Sequence, residues 1–307
     1  MAVEIDYSVG ELGENYTPTT IEEMGNAIGK IAHQVIRSVD TKNPLDVFKK
    51  MPVDNGDTIE EAVVLLAEGT AYDRTGSGAL QREVSEKMAV RYYKNWTPEM
   101  FKKTIDLSEI RKVLQTGKGT EEISAKIVAS LTEGDKDAEY QYMKGLLDFA
   151  KTNTLIGKTD TLDLTGGDTL KDVLEMIKNF ISGMKFVNTE FNKAGIRRKT
   201  KAEDIYLLMP YQIKNKIDVQ ELAGVFNLDK DKLDAHLIEI DNYDSDNNIA
   251  NIYIVDKNAL LDYTRLYEML NELNANGRFW NYYLHTDRLY AFSQLFDSAL
   301  ISVTMAS

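Results

Sequence analysis

The sequence predicts an α+β fold with a protruding hairpin, a long helix and a mixed sheet flanked by helices. Apolar residues recur at helical spacing over 20–38, 120–152 and 169–184. Strand-like and helix-like segments alternate from Ile205 onward, an order typical of a sheet with helices on its faces. The most aromatic stretch, 278–290, comes near the end of the sequence, and we interpret it as a strand that completes a core begun earlier.

Composition narrows the possible functions. With 307 residues, 43% of them hydrophobic and 28% charged, the chain can form one large domain or two modest ones. The sequence contains no cysteine, which excludes disulfides, thiolate nucleophiles and cysteine-based zinc sites. A formal charge of -13 argues against a general attraction to nucleic acid. The start lacks a secretory pattern and no apolar run approaches the ~20 residues of a membrane span, so we expect a soluble, intracellularly made protein.

The first predicted element is an amphipathic helix over 20–38. Thr20 and Glu23 form a capping box at its start, and Asn43-Pro44 follows its end. Its apolar stripe serves either to dock on another chain or to pack on the protein's own core, and the sequence leaves both open.

A hairpin is predicted next. Residues 59–67 have the content of a strand, 69–78 form a glycine-rich tip, and 84–105 return as the second arm. Arms of ~15 to 20 residues reach ~50 to 60 Å at ~3.3 Å per residue, far more than a compact domain needs. We expect the hairpin to lie on a neighbouring subunit; the alternative is a hairpin folded over its own sheet.

The sequence predicts helices in the middle of the chain. A short helix over 107–114 ends at Gly117, and a longer one over 120–152 forms a spine of ~50 Å at 1.5 Å per residue. Residues 160–168 are rich in Thr, Asp and Gly and indicate a connection. Asp168-Thr169 then caps a helix that continues to Met184.

From residue 205 onward, predicted strands alternate with predicted helices. The expected elements are strands at 205–209, 237–240 and 249–255, a helix opened by Pro210, further segments at 219–226 and from Lys257, and a turn at 274–277 before the aromatic run.

Several fragments resemble functional motifs and fail in detail. Thr116–Thr120 lacks the first glycine and the magnesium-binding hydroxyl of a phosphate loop, so we predict a helix-to-helix turn. Gly166-Gly167-Asp168 follows no convincing strand and is not a dinucleotide fingerprint. Asp244, Asp246 and Asn248 alternate as calcium ligands do, but Ile249 and Val255 replace the required Gly and Glu. We predict a solvated acidic loop there.

No set of residues predicts catalysis, cofactor binding or metal binding. The three histidines, His33, His236 and His285, have no ligand spacing, and we interpret each as a core or interface residue. The local basic patch could contact packaged nucleic acid, contact an acidic neighbour or form a solvated loop; it comprises Lys193, Arg197, Arg198, Lys199 and Lys201.

The order of short motifs from about residue 37 to 303 resembles the major capsid proteins of tailed phages, nearest to small short-tailed podoviruses of the phi-29 type. The motifs are Asn43–Lys50, Thr58–Glu61, Glu139–Lys144, Ile217–Ala223 with Phe226-Asn227, Ile254–Lys257 and Gly277–His285.

This resemblance implies the HK-97-like capsid fold, shared with encapsulins. It implies an N-terminal arm at 1–50, an extended E-loop at 51–105, a peripheral domain with a long spine helix at 106–155 and 256–307, and an axial domain at 156–255. No large segment precedes the arm, so we expect a separate scaffolding protein rather than a fused scaffolding region. No additional C-terminal domain is expected.

The function implied is that of a non-enzymatic major capsid protein, which forms the pentamers and hexamers of an icosahedral or prolate head around double-stranded DNA. A portal protein at one vertex and weak, non-specific DNA contact are further expectations, as are assembly in the bacterial cytoplasm, residence in the virion and no membrane partner. Two alternatives remain: an encapsulin-like compartment, and a metal-dependent α/β enzyme using Asp241, Asp244 and Asp246.

The resemblance and the aromatic pattern together give the predicted contact residues between subunits. They are Tyr72 and Arg74 at the hairpin tip, and the aromatic residues Tyr92, Trp96, Phe279, Trp280, Tyr282 and Tyr283.

Overall fold

A computed structural model describes residues 42–53, 56, 58–67, 69, 88–106, 117–219, 235–241 and 248–305. The predicted helices at 20–38 and 107–114 and the hairpin tip lie outside these residues. The helices are α1 (Gly117–Thr152), α2 (Leu170–Met184) and α3 (Tyr211–Val219). The strands are β1 (Ile59–Val64), β2 (Met88–Tyr93), β3 (Trp96–Asp106), β4 (Lys158–Asp163), β5 (Ile205–Pro210), β6 (His236–Ile240), β7 (Ile249–Asp256), β8 (Leu260–Asn274), β9 (Phe279–Phe292) and β10 (Ser298–Thr304).

The described strands form three sheets. A five-stranded sheet has the order β4-β10-β7-β5-β6, a three-stranded sheet has the order β3-β9-β8, and β1 pairs with β2. In the five-stranded sheet β4 is parallel to β10 and β5 is parallel to β6, whereas β7 is antiparallel to both of its neighbours. The prediction of a mixed sheet is therefore confirmed.

The described residues divide into two compact units. The smaller contains residues 102–106, 117–131 and 271–282, and the larger contains the others. In the smaller unit Thr104 Oγ1 donates a hydrogen bond of 2.7 Å to Asn281 Oδ1, which links β3 to β9. All packing described below lies within the larger unit.

The five-stranded sheet is buried on both faces, as an uninterrupted apolar strand requires. On β5, Ile205, Leu207 and Met209 join a core that includes α2, while Tyr206 and Leu208 point into a second core that includes α1. The apolar stripes of the two helices cover the two faces of one sheet, as the sequence predicted. The first core takes the buried α2 residues Leu170, Val173, Leu174, Ile177, Phe180, Ile181 and Met184.

Both predicted long helices are confirmed. Helix α1 spans ~54 Å at 1.5 Å per residue and continues through Gly134 without a break. Its first turn contains Gly117 and Gly119, where we had predicted a turn between two helices, so that prediction is wrong. Helix α2 begins with the expected capping box, in which Asp172 N donates to Thr169 Oγ1 and Thr169 N donates to Asp172 Oδ2.

One predicted connection is a strand. Residues 160–168 were expected to link two regions, but β4 occupies Lys158–Asp163 and pairs in parallel with β10. Its position at the sheet edge explains the error, because an edge strand needs few apolar residues and only Leu162 of β4 is buried.

The predicted return arm of the hairpin is divided into two strands. Residues 88–93 pair with β1 over six residues, whereas β3 joins β9 in another sheet. The break falls at Lys94-Asn95, and Trp96 directly after it packs beneath the Arg265 guanidinium at 4.6 Å from the ring centroid. The prediction of a continuous arm of ~15 to 20 residues is therefore wrong within the described residues.

Residues 43–50 fasten the start of the described chain to α1 and β8. Asn43 Oδ1 accepts from Leu45 N, which sets the turn, and Asn43 Nδ2 donates to Glu139 Oε1 of α1 at 3.0 Å. Phe48 is fully buried and lies edge-on to Tyr206 with ring centroids 5.2 Å apart.

A buried charge cluster lies beside this segment. Arg288 of β9 donates two hydrogen bonds, of 2.6 and 2.8 Å, to Asp135 of α1, and its Nη2 lies 3.4 Å from Glu139 Oε2. Lys49 Nζ lies 2.6 Å from the same Glu139 oxygen. Asp262 of β8 is buried against them, with 1% of its surface exposed. The cluster thus contains three carboxyl groups and two cations.

The excess of one carboxyl group over the cations is offset by a proton on Asp262. Glu139 has Lys49, Arg288 and Asn43 around it, whereas Asp262 Oδ1 accepts no hydrogen bond from any described residue. Burial and the neighbouring negative charge of Glu139 raise the pKa of Asp262 to about 7, although Arg288 and Lys49 oppose the shift. Asp262 therefore holds a proton near neutrality.

The first prediction concerns the substitution Asp262→Asn. Because the pKa of Asp262 is raised in the folded protein, the folded state holds a proton that the unfolded state loses as pH rises from about 4 to about 7. This carboxyl group therefore costs stability across that window. We expect the variant to gain stability over the unmodified chain by on the order of 2 kcal/mol between pH 4.5 and 7.5. Urea denaturation across this range measures the difference in stability, and a difference that does not change with pH contradicts the raised pKa of Asp262.

The second prediction concerns Arg288→Ala. The substitution leaves Asp135 and Glu139 buried without their main counter-charge, and we expect a loss of about 3–5 kcal/mol. Arg265→Ala is the matched control, because Arg265 of β8 pairs with Asp287, the residue next to Arg288 on β9, with 30% of its side chain exposed. We expect a loss of about 1 kcal/mol there. Equal midpoints of urea denaturation for the two variants would show that burial does not set the strength of the Arg288 pair.

Candidate functional site

The described residues contain no grouping of His, Asp and Glu suited to a metal ion. His236 hydrogen-bonds the Glu203 carbonyl at 3.0 Å, and His285 stacks on Tyr283 with centroids 6.1 Å apart. Nor is any described helix long and apolar enough to cross a membrane.

The carboxylate expected in the enzyme alternative has an internal role. Asp241 accepts hydrogen bonds of 2.5 Å from both Tyr140 and Lys144, two residues of α1. Partial burial acts to raise the pKa of Asp241, but the bonds from Lys144 and Tyr140 outweigh it and lower that pKa. Asp241 thus connects α1 to the end of β6 through these two hydrogen bonds. Asp244 and Asp246 lie outside the described residues.

The β1–β2 hairpin turns apolar side chains to solvent. Val64 lies opposite Met88, Ala62 opposite Val90 and Glu60 opposite Tyr92, so these six residues share one face. Val64, Met88 and Tyr92 expose 74%, 53% and 62% of their surface. We call Ala62, Val64, Met88, Val90 and Tyr92 the hairpin surface.

The opposite face of this hairpin points a charge inward. Glu61 Oε2 accepts hydrogen bonds from Tyr93 Oη at 2.9 Å and from Ser293 Oγ at 2.6 Å. Burial and the adjacent Glu61 raise the pKa of Tyr93, which keeps the phenol protonated as the donor. This anchor holds the hairpin with Val64, Met88 and Tyr92 outward, while Ile59 and Tyr93 on the inward face pack against Leu261, Leu289 and Ala291.

A second apolar surface lies on β8. Leu266, Tyr267, Met269 and Leu270 expose between 43% and 51% of their surface, and we call them the strand surface. Successive residues of a strand point to opposite faces, so these exposed residues lie on both faces of β8. Neither face of this part of the strand is buried by the described residues.

A groove of about 680 Å³ lies between the base of the hairpin and α1. Tyr92, Tyr142 and Phe149 form its walls, and Tyr290 and Phe292 of β9 form its floor. Tyr142 stacks on Tyr290 with centroids 5.3 Å apart. Tyr290, the last residue of the aromatic run, therefore packs against α1, and the prediction that the run is a strand is confirmed.

The predicted contact residues have different positions. Tyr92 belongs to the hairpin surface, and Trp96 is half-buried beneath Arg265. Phe279, Trp280, Tyr282 and Tyr283 are half-buried along β9. Tyr72 and Arg74 lie outside the described residues. Sequence reasoning missed Val64, Met88 and the strand surface, since alternation alone does not tell which face of a strand points outward.

The predicted basic patch is divided. Arg198 turns inward, where Nη2 donates to Asp256 Oδ2 and Nη1 to the Leu295 carbonyl, each at 3.0 Å. Arg197, Lys199 and Lys201 are exposed, and Lys201 lies 3.5 Å from Glu203. Lys193 is exposed as well, so the patch has four surface cations in place of the five expected.

The chain resembles known proteins over most of its length. A sequence model of the family described as Phi29-like phage major capsid protein matches residues 7–302. The chain is 26% identical over 302 residues to the major capsid protein of Bacillus phage GA-1, covering 94% of this chain and 62% of that protein. It is 22% identical over 278 residues to that of Streptococcus phage Cp-1, covering 84% and 76%. The chain thus spans about six-tenths of the length of the GA-1 relative.

Solved structures show the same fold. A chain from the capsid structure of Staphylococcus phage Andhra superposes with a TM-score of 0.76 at 14% identity, covering 100% of this chain and 96% of that one. A chain from the structure of the head fiber and inner core protein gp22 of bacteriophage P68 gives 0.71 at 15% identity, covering 89% and 88%. The expected phage capsid fold is confirmed.

These likenesses favour neither the compartment nor the metal-dependent enzyme, because the family that matches is structural and not enzymatic. The family match extends over nearly the whole chain and agrees with the capsid fold of the structural neighbours. The chain belongs to the family of Phi29-like phage major capsid proteins.

Proposed function

We propose that the chain assembles into the shell of a phage head, as pentamers and hexamers around double-stranded DNA, and that it catalyses no reaction. The observation that carries the proposal is the hairpin surface, where Glu61 points inward and Val64, Met88 and Tyr92 point to solvent. A strand pair with such an exposed apolar face is stabilised when a second protein covers it.

Assembly requires contacts of limited strength repeated many times. A few exposed apolar side chains on a strand pair bury modest area each, and closed symmetry multiplies that area over the shell. We assign the hairpin surface and the strand surface to two different neighbour contacts, since they belong to different sheets. Tyr72, Arg74 and the aromatic residues of β9 belong to the same proposed contacts.

The proposed regions follow the capsid fold. They are an arm at 1–50, an E-loop at 51–105, a peripheral domain at 106–155 and 256–307, and an axial domain at 156–255. One detail supports an amendment: β10 pairs with β4 and β7, so we place 298–304 with the axial sheet.

Partners other than further copies of the chain are also proposed. They are a separate scaffolding protein, a portal protein at one vertex, and DNA held by weak, non-specific contact. The net charge of -13 and the inward orientation of Arg198 support weak DNA contact, because carboxylates outnumber cations and one cation of the patch does not face solvent. Capsid proteins form the virion capsid, and we propose assembly in the cytoplasm of the bacterial host.

The third prediction tests assembly directly. The purified chain, alone or with the scaffolding protein, is expected to form capsomers or closed shells that electron microscopy and sedimentation velocity detect. Particles that appear only with the scaffolding protein agree with the proposal. Compact monomers in both preparations would refute it.

The fourth prediction concerns the double substitution Val64→Glu and Met88→Glu. Both residues are exposed and lie opposite each other, so we expect stability within about 0.5 kcal/mol of the unmodified chain. Two carboxylates in a buried contact are costly, so the yield of particles should fall by about tenfold or more.

Asn179→Glu is the matched control, because Asn179 is exposed on α2 and lies away from the hairpin. Urea denaturation monitors folding, and the particle peak in sedimentation velocity monitors assembly. A normal particle yield from the double variant would remove the hairpin surface from the proposed contacts.

A further inference from the structure

The segment after α2 presents a rigid apolar centre with cations around it. Phe186 and Val187 expose 73% and 48% of their surface. Arg197 and Lys199 lie on the strand-like return of the same segment and are exposed. We call Phe186, Val187, Arg197 and Lys199 the platform.

Hydrogen bonds fix the backbone of the platform. Asn188 N donates to the Arg198 carbonyl at 3.0 Å, and Arg198 N donates to the Asn188 carbonyl at 3.1 Å. The Asn188 side-chain amide donates to the carbonyls of Gly183 at 3.1 Å and Phe186 at 2.8 Å. Phe186 is therefore held in one place while its ring stays in solvent, a preorganisation typical of binding surfaces.

The underside of the platform is anchored as firmly. The Arg198 guanidinium lies 4.0 Å from the Phe296 ring centroid and is paired with Asp256. Thr200 Oγ1 bridges Asp256 Oδ2 at 3.0 Å and Asp297 Oδ2 at 2.8 Å. These buried groups secure the segment to the end of β7 and leave its outer side to the platform.

The other end of α2 has the opposite charge. Between residues 160 and 175 the chain has five carboxylates and one lysine, and all five carboxylates are exposed. Helix α2 is 15 residues long and separates this acidic end from the platform by ~22 Å at 1.5 Å per residue. We call it the acidic end; it comprises Asp160, Asp163, Asp168, Asp172 and Glu175.

We propose that the platform of one subunit docks on the acidic end of a neighbouring copy, head to tail around a capsomer. This inference rests on the proposed shell function and names the contact between subunits within each ring. Two different, complementary surfaces at opposite ends of one unit generate a ring when the rotation closes. A rigid aromatic residue inside a charged rim is the composition of a protein interface, whereas DNA would be held by the cations alone.

The test is a charge exchange between the two surfaces. Arg197→Glu with Lys199→Glu reverses the platform, and Asp160→Lys with Glu175→Lys reverses the acidic end. We chose these side chains because they are exposed and because neither the Arg198 anchor nor the turn at Asp163 uses them. Capsomer and particle yields are measured by sedimentation velocity at low and high salt, and folding by circular dichroism.

Each reversal alone is expected to lower the yield by about tenfold at low salt, because like charges then meet across the contact. The four substitutions together are expected to restore the yield. Mixing the two singly reversed proteins should restore six-membered rings but not five-membered ones, since every contact is complementary only where the two proteins alternate around the ring. Phe186→Ser, which leaves every charge in place, should lower the yield as well.

Folded variants with unchanged yields would overturn the inference, and so would a fourfold variant that remains as defective as either parent. Reversal of the platform that changes only the DNA content of otherwise normal particles would assign the cations to nucleic acid and overturn it too. If the unmodified chain forms no capsomers, the shell function itself fails and the inference falls with it. A shell that forms normally in every variant contradicts the inference alone.

Discussion

The structure depends on the buried pairing of Arg288 with Asp135 and Glu139. Removing these charges from water costs several kcal/mol each, and the cost is offset only where all of them meet in one geometry. Residues 43–50, α1, β8 and β9 each supply a member of the cluster, so none of these segments can shift without leaving a charge unpaired. This constraint fixes α1 against the second core, where Phe48, Met143 and Leu147 pack on the five-stranded sheet. The charge cluster determines the positions of these segments more than it adds to the stability of the fold.

The larger unit combines two apolar cores with a few inward-pointing charges and a few exposed apolar side chains. It places Glu61, Asp262 and Arg198 inside, where each needs a precise partner, and it leaves Val64 and Phe186 outside. Interior charges make the unit rigid, and rigid units lose little conformational entropy when they associate. The exposed apolar groups then supply favourable contacts that remain unused until a neighbour arrives. The chain thus has a well-defined fold, and its surface retains apolar groups that are buried only when a neighbour binds.

The fold was predictable where one physical signal dominated. The period of α2 and the continuous apolar runs of β5 and β7 determine burial directly, so these elements were found. Strand β4 was missed because a sheet edge demands only Leu162, and the division of the hairpin at Lys94-Asn95 depends on the contact of Trp96 with Arg265, which is remote in sequence. The candidate site was predicted as a region but not as side chains. Composition cannot tell that Arg198 points inward or that Val64 points outward, since tertiary partners decide both.

The order of the five-stranded sheet has a consequence for synthesis. Strand β10 lies between β4 and β7, although it is made more than 130 residues after β4. Until residues 298–304 leave the ribosome, β4 has no neighbour in this sheet, and the first core lacks Ile301 and Val303. A late, long-range pairing of this kind delays folding until the strand is available. Completion of the sheet therefore depends on β10, and a chain in which residues 298–304 have not yet emerged cannot present the finished surfaces of a shell subunit.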